Sequence, residues 1–283
     1  MKAEQVIGEL ASRRGFLKTA AAFAGAVAGT ELIGFDKALG FPASSDKVQD
    51  IINAALTAER LAVAFQYTAL NTVLATTNTT TSNVLTALGT NLANVRIQIQ
   101  TILDAERFHR DALIGLVATT LDSGSFFFPT GTFDNLTNYA NTAVLLEQSF
   151  VGAYLVANAE LNMMGYYDLA VIAHQFMGIE AEHRVLSRQL LGAVPASEIA
   201  QERYVFNSVG NTGNLANDSA VKTLLPFVTG GTGFSGYTVA NGVATASTSG
   251  ISEPADSDIN GANGTAGRTS IKPPAGPVVD PGV

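Results

Sequence analysis

Asp104-Ala105-Glu106-Arg107-Phe108-His109 lies in an apolar run of helical spacing, and Gly178-Ile179-Glu180-Ala181-Glu182-His183 repeats its Glu-x-x-His pattern in a second such run. An i, i+3 offset puts a carboxylate and an imidazole on one helix face, a turn apart. Two of the chain's three histidines belong to these pairs. A further glutamate precedes each pair on an earlier apolar helical stretch, Glu59 before the first and Glu147 before the second. The order Glu, Glu-x-x-His, taken twice, is the ligand arrangement of a two-metal carboxylate centre inside a four-helix bundle.

Working outward, periodicity predicts helices over about 46–76, 84–121, 136–163 and 166–191. Ser44-Ser45-Asp46 offers N-cap chemistry for the first. The Thr/Asn-rich run 76–83 has no helical driving force and reads as a turn. Residues 122–135, with Gly124, Pro129 and Gly131, read as a long connection, and Gly165 as the breaker of a tight αα-hairpin. In an antiparallel hairpin, paired ligands lie equally far from the turn. The midpoint of Glu59 and Glu106 falls at about residue 82, inside the polar run, and that of Glu147 and Glu180 at about residue 163, beside Gly165. The expected fold is therefore all-α, a four-helix bundle running up-down, then one long crossover, then up-down.

All four glutamates stand on apolar faces. Ile52, Leu56 and Val63 flank Glu59, Ile102 and Leu103 precede Glu106, Val144, Phe150 and Val151 surround Glu147, and Phe176 and Met177 precede Glu180. A carboxylate facing a bundle core is costly unless paired or bound to a cation, and one or two divalent cations remove the repulsion among four. Of the neighbouring groups, Glu182 lacks the i, i+3 offset to His183, Glu160 lies too far along its helix from Glu147, and His174 reads as a surface histidine. Tyr67 and Tyr154 read first as core packing, with a hydrogen bond to a ligand as the alternative.

The chain has 283 residues, net charge −8, an apolar fraction of 47% and no cysteine; its mean hydropathy is +0.22. An acidic chain without a basic stripe argues against a nucleic-acid partner. Without thiolates, any metal must be held by oxygen and imidazole, which suits iron or manganese. Three regions are expected: an address and linker at 1–43, the bundle at 44–206, and a Gly/Asn/Thr/Pro-rich, low-complexity tail at 207–283. The tail is expected to be partly disordered, with only 221–228 apolar enough to dock.

Glu59, Glu106 with His109, Glu147, and Glu180 with His183 resemble the di-metal ligands of the ferritin-like superfamily, over roughly residues 46–200. The resemblance implies two iron ions, or manganese as the alternative, shared by Glu106 and Glu180 and capped by Glu59, Glu147, His109 and His183. No fifth, cage-forming helix is recognisable, which argues against iron storage in a hollow homo-oligomer. Ser12-Arg13-Arg14-Gly15-Phe16-Leu17-Lys18 resembles the twin-arginine export signal, and the weakly apolar stretch after it, 19–28, is far short of the ~20 residues of a stable membrane span. That implies export in a folded state to the periplasm or cell envelope. A ferritin-like domain behind such a signal and before a low-complexity tail is similar to the exported proteins described as desiccation-related. The functional expectation is a metal-binding stress-protection protein acting on Fe(II), O2 or peroxide, as a di-iron oxidase or a manganese-catalase-like enzyme. The alternative is a non-catalytic stress or structural protein whose metal staples the bundle and whose tail mediates assembly, including a homo-oligomer.

Overall fold

The computed structural model describes residues 46–75, 79–116, 124–192, 206, 208–210 and 219–262. The export signal expected within 1–43 and the end of the tail, 263–283, lie outside the described residues.

Four helices of 23 to 28 residues form the bundle: α1 (Val48–Asn71), α3 (Leu92–Ile114), α4 (Leu136–Met163) and α5 (Tyr167–Gln189). A short α2 (Thr79–Ala87) lies between the first two. Asn91 and Asn135 start α3 and α4 by accepting from the N–H groups of Asn94 and Asn138, which satisfies donors that a helix start leaves orphaned. Arg96 Nη1 donates to the Leu70 and Leu74 carbonyls and so caps the end of α1. Gly165, at φ 84, makes the turn between α4 and α5.

Two expectations change here. The N-cap of α1 falls at Lys47, one residue past the expected region and without a side-chain hydrogen bond; the Asp46 carboxylate accepts the Gly210 N–H at 2.5 Å, and Ser44 and Ser45 lie outside the described residues. The polar run 76–83 is helical from Thr79 onward, since Leu85 is buried on the bundle and gives this short helix a face to dock. The helix expected from 84 is consequently broken at Gly89, at φ 65, and starts again at Leu92.

α1 packs on α3 and α4 on α5, as two antiparallel hairpins. The second hairpin enters the other way up from the expected up-down order. Tyr154 reaches Glu59 while Gln66 reaches Glu147, so α4 runs antiparallel to α1 and therefore in the direction of α3. A crossover as long as the bundle has this effect: it carries the chain from one end to the other, and helices on its two sides must run the same way. Phe126, Phe128 and Phe133 of the crossover are buried, and Phe65 of α1 packs against Phe128, Phe133 and Tyr139 at centroid distances of 5.4, 5.8 and 4.9 Å.

The core has two apolar layers. One gathers Leu61, Phe65, Ile99, Leu103, Tyr139, Leu146 and Phe150; the other gathers Ile52, Leu56, Leu113, Tyr154, Leu161, Leu169 and Phe176. Between them, one polar level crosses all four helices.

The tail beyond 207 docks further than expected. Helix α6 (Ala220–Thr229), capped by Ser219, buries Leu224 and Phe227. Crossover strand β2 (Phe128–Pro129) pairs antiparallel with β3 (Phe234–Ala240), which pairs with β4 (Val243–Ser247), and crossover strand β1 (Ser125–Phe126) pairs with β5 (Ile251–Ser252). The hydroxyl of buried Tyr237 accepts from the Gly131 N–H and donates to the Pro129 carbonyl. Ile259, on α7 (Asp256–Ala262), is fully buried. Among the described residues no helix is long and apolar enough to cross a membrane.

Candidate metal centre

The polar level between the two apolar layers consists of Glu59, Glu106, His109, Glu147, Glu180 and His183, every one of them buried. They form two overlapping groups of potential ligands, Glu59, Glu106, His109 and Glu180 in one, and Glu106, Glu147, Glu180 and His183 in the other; within each group one ligand atom per residue lies within 4.8 Å of the rest. Glu106 and Glu180 belong to both.

The oxygens of those two residues divide between the halves. Glu180 Oε1 is 3.0 Å from His109 Nδ1 and Glu180 Oε2 is 3.2 Å from His183 Nδ1. Glu106 Oε1 is 3.0 Å from His183 Nδ1 and Glu106 Oε2 is 3.8 Å from His109 Nδ1. Glu59 Oε2 lies 3.5 Å from His109 Nδ1, and Glu147 Oε2 lies 4.0 Å from His183 Nδ1. Each half therefore has one imidazole nitrogen, one terminal carboxylate and one oxygen from each of two shared carboxylates.

Burial sets the electrostatics. It raises the Glu59 and Glu147 carboxyls well above the usual carboxylate range, and His109 and His183 only partly oppose it. Burial also acts against charge on the imidazoles, but Glu59 and Glu180 push His109 up to about 10, and Glu106, Glu180 and Glu147 push His183 up to about 12. Between these two cations the Glu180 carboxyl falls to about 2 despite its burial. Without a metal, the site thus carries imidazolium charge at the places where its carboxylates need positive charge.

The residues fit a bound cation pair. Glu59 Oε2, both Glu106 oxygens, His109 Nδ1, Glu147 Oε2 and Glu180 Oε1 are buried and make the charge contacts above but no well-aligned hydrogen bond, although a buried polar atom normally has one. All of them point into this one cluster, and four carboxylates with two imidazoles form a donor set for iron or manganese.

Other side chains hold the six in place. The Tyr154 hydroxyl donates to Glu59 Oε1. The Tyr139 hydroxyl donates to Gln66 Oε1, and Gln66 Nε2 donates to Glu147 Oε1 at 3.5 Å. The Phe176 ring stacks on His109 with centroids 3.9 Å apart. Tyr154 therefore bonds to a cluster residue rather than serving as core packing alone, whereas Tyr67, half-buried, packs against the other apolar layer with its hydroxyl on Asn71. Gln66 and Tyr139 escaped the sequence reading. Glu182 and His174 are exposed, and Glu160 is buried outside the cluster, near the Val209 N–H.

A sequence model of the family described as a ferritin-like domain matches residues 47–193. That is just over half of the chain, and the chain belongs to this family. No curated protein and no solved structure matches it.

Proposed function

We propose that this member of the ferritin-like family is a metalloprotein that holds two iron ions, or manganese as the alternative, between Glu59, Glu106, His109, Glu147, Glu180 and His183, and uses them on Fe(II), O2 or peroxide. The observation that carries the reading is the sharing of Glu106 and Glu180, each with one oxygen toward either half of the cluster. A bound pair of such ions supplies redox and Lewis-acid chemistry at a neutral pH. The chain supplies the rest. His109 and His183 offer Nδ1, Glu59 and Glu147 close the two ends, and the Tyr154 hydroxyl donates to Glu59 Oε1 and fixes that carboxylate. The two apolar layers keep bulk water from the polar level. Elemental analysis of the protein from its native compartment tests the metal, and assays of Fe(II) oxidation and peroxide dismutation test the chemistry. Inactivity with both metals would overturn the enzyme reading.

A second reading, that the metal is a structural staple, draws support from the depth of the site, since none of the six residues is more than 4% exposed. Export belongs to the same proposal. A site without thiolates takes the metal its compartment offers, and a twin-arginine route lets the cytoplasm make the choice before a folded protein leaves for envelope stress protection. Arg13→Lys with Arg14→Lys is expected to leave a folded, metal-loaded protein in the cytoplasm; normal export of that variant would refute the address.

A further inference from the structure

The three-stranded sheet β2-β3-β4 ends at β4, which pairs with β3 on one side and, among the described residues, with no strand on the other. Asn241 and Gly242 form a two-residue turn, so Ala240 and Val243 are the hydrogen-bonded pair nearest to it. Bonded and non-bonded pairs alternate from there. The main-chain groups of Val243, Thr245 and Ser247 therefore face β3, and those of Ala244 and Ala246 face away. Such an outward row is a template for another strand. Val243, Thr245 and Ala246 are exposed, which leaves the row open to approach.

Proteins ordinarily guard an edge of this kind with lysine, proline or a bulge. The strand Val243-Ala244-Thr245-Ala246-Ser247 has none of these, and residues 223–252 carry no charged side chain in a chain of net charge −8. A partner chosen by charge has nothing to grip here, whereas two copies of this acidic chain would meet where neither repels the other. The strand also complements itself across a two-fold axis at Thr245. Antiparallel self-pairing sets Ala244 opposite the second copy's Ala246, so their outward groups meet donor to acceptor. It sets Thr245 opposite Thr245, a favourable cross-strand pair, and Val243 opposite Ser247. We propose that β4 is the surface through which two copies of this chain associate, joining their sheets into one antiparallel sheet across a two-fold axis. The contact is isologous and closes on itself. An edge this short covers less than the ~1,200–2,000 Å² of a stable complex, so the association is reversible. The inference is independent of the metal centre.

The chain has no cysteine, so a thiol placed at the axis reports the pairing by itself. Facing residues of a non-hydrogen-bonded pair have Cα atoms about 4.5 Å apart, inside the ~4.4–6.8 Å that a disulfide spans. Full-length Thr245→Cys, oxidised with diamide, is expected to form a covalent dimer about tenfold faster or more than Val239→Cys, which is 45% exposed on β3 but away from the axis. Sedimentation of the unaltered protein over roughly 1 μM to 1 mM should show a monomer–dimer equilibrium. Ala246→Pro removes a donor aimed at the second copy and none used by β3, a change that edge strands tolerate. Thr245→Lys sets like charges together at the axis, and each variant should weaken dimerisation about tenfold or more. Helicity and metal content should stay unchanged throughout, which separates this test from that of the metal centre. Equal cross-linking of the two cysteine variants, a monomer across the whole concentration range, or a dimer that survives both substitutions would overturn the proposal.

Discussion

Glu106 and Glu180 occupy equivalent places in two halves that differ in most other residues. Each is one turn before a histidine on its own helix, and each also reaches the histidine of the other. Removing either takes a donor from both halves, whereas removing a terminal residue touches only one. Glu106→Ala and His183→Ala are expected to abolish stoichiometric metal binding while most helicity remains, measured by elemental analysis beside circular dichroism; metal retained in both would contradict the assignment. Tyr154→Phe removes only the hydroxyl that fixes Glu59, and groups that orient a ligand are worth about 10–100-fold in metal affinity. A competition titration with a chelating dye should show a loss of that order, and an unchanged affinity would reduce Tyr154 to packing. The six cluster residues were legible in the sequence because the i, i+3 offset and the hairpin midpoints both constrain them. Their supports carried a weaker signal. Gln66 follows Glu59 by seven residues and Tyr154 follows Glu147 by seven, two helical turns in each case, and each reaches the other's glutamate. That repeated offset was present in the sequence, but Tyr139, which buttresses Gln66 from the next helix, follows no such spacing.

At the scale of elements, the four long helices were readable from period and breakers, while the docking of the tail was not read. Asn241 and Gly242, at φ 51 and φ 77, form the two-residue turn between β3 and β4, and Asn-Gly is a strong short-range hairpin signal. It was obscured because only the first half of the hairpin touches the bundle: Tyr237 is buried, whereas Val239 and Val243 are exposed, so no clean alternation survives. Gly236 fixes the approach of this hairpin to the segment after it, since a Cβ there would stand 1.7 Å from the Ser249 carbonyl oxygen. Gly236→Ala should therefore displace the 249–252 segment, seen as increased amide exchange there with the metal centre retained; unchanged exchange would show that the backbone absorbs the clash. The same segment clasps the bundle through charge. Glu253 binds Arg60 of α1 at 2.6 Å and Arg110 of α3 at 2.7 Å, and Asp256 binds Arg110 at 2.9 Å. Burial acts to raise the Asp256 carboxyl, but Arg110 and Arg107 outweigh it and hold it below its ordinary value. A lowered folded-state pKa contributes stability above the unfolded value, near 4 for an aspartate, and that stability is lost as pH falls through the folded value. Residues 256–262 should accordingly lose exchange protection as the pH drops below about 4, before the α4–α5 hairpin does. Simultaneous loss would mean that the clasp has no separate acid response.

For the whole molecule, the decisive arrangement is a charged level between two apolar layers, one drawing on α1, α3, α4 and α5 and the other on α1, α3 and α4 with Leu190 at the end of α5. Most of the free energy of a bundle comes from apolar burial of that kind, and neither layer includes a cluster residue. Within the charged level, His109 and His183, held protonated by the surrounding carboxylates, relieve part of the repulsion when no cation is present. The metal-free protein should then remain a folded, helical bundle, and bound metal should add stability by mass action: about 4 kcal/mol when free ion exceeds its Kd by ~1,000-fold. For a domain of this size that corresponds to a shift in Tm on the order of 10 °C. Chelation should lower the unfolding midpoint by about that amount and leave one cooperative helical transition, recorded by circular dichroism on metal-loaded and metal-free samples. The staple reading predicts instead that chelation at room temperature removes the helical signal outright. That result would mean that the two apolar layers cannot hold the four helices together across an uncompensated charged level, and would make the metal's first role the fold itself.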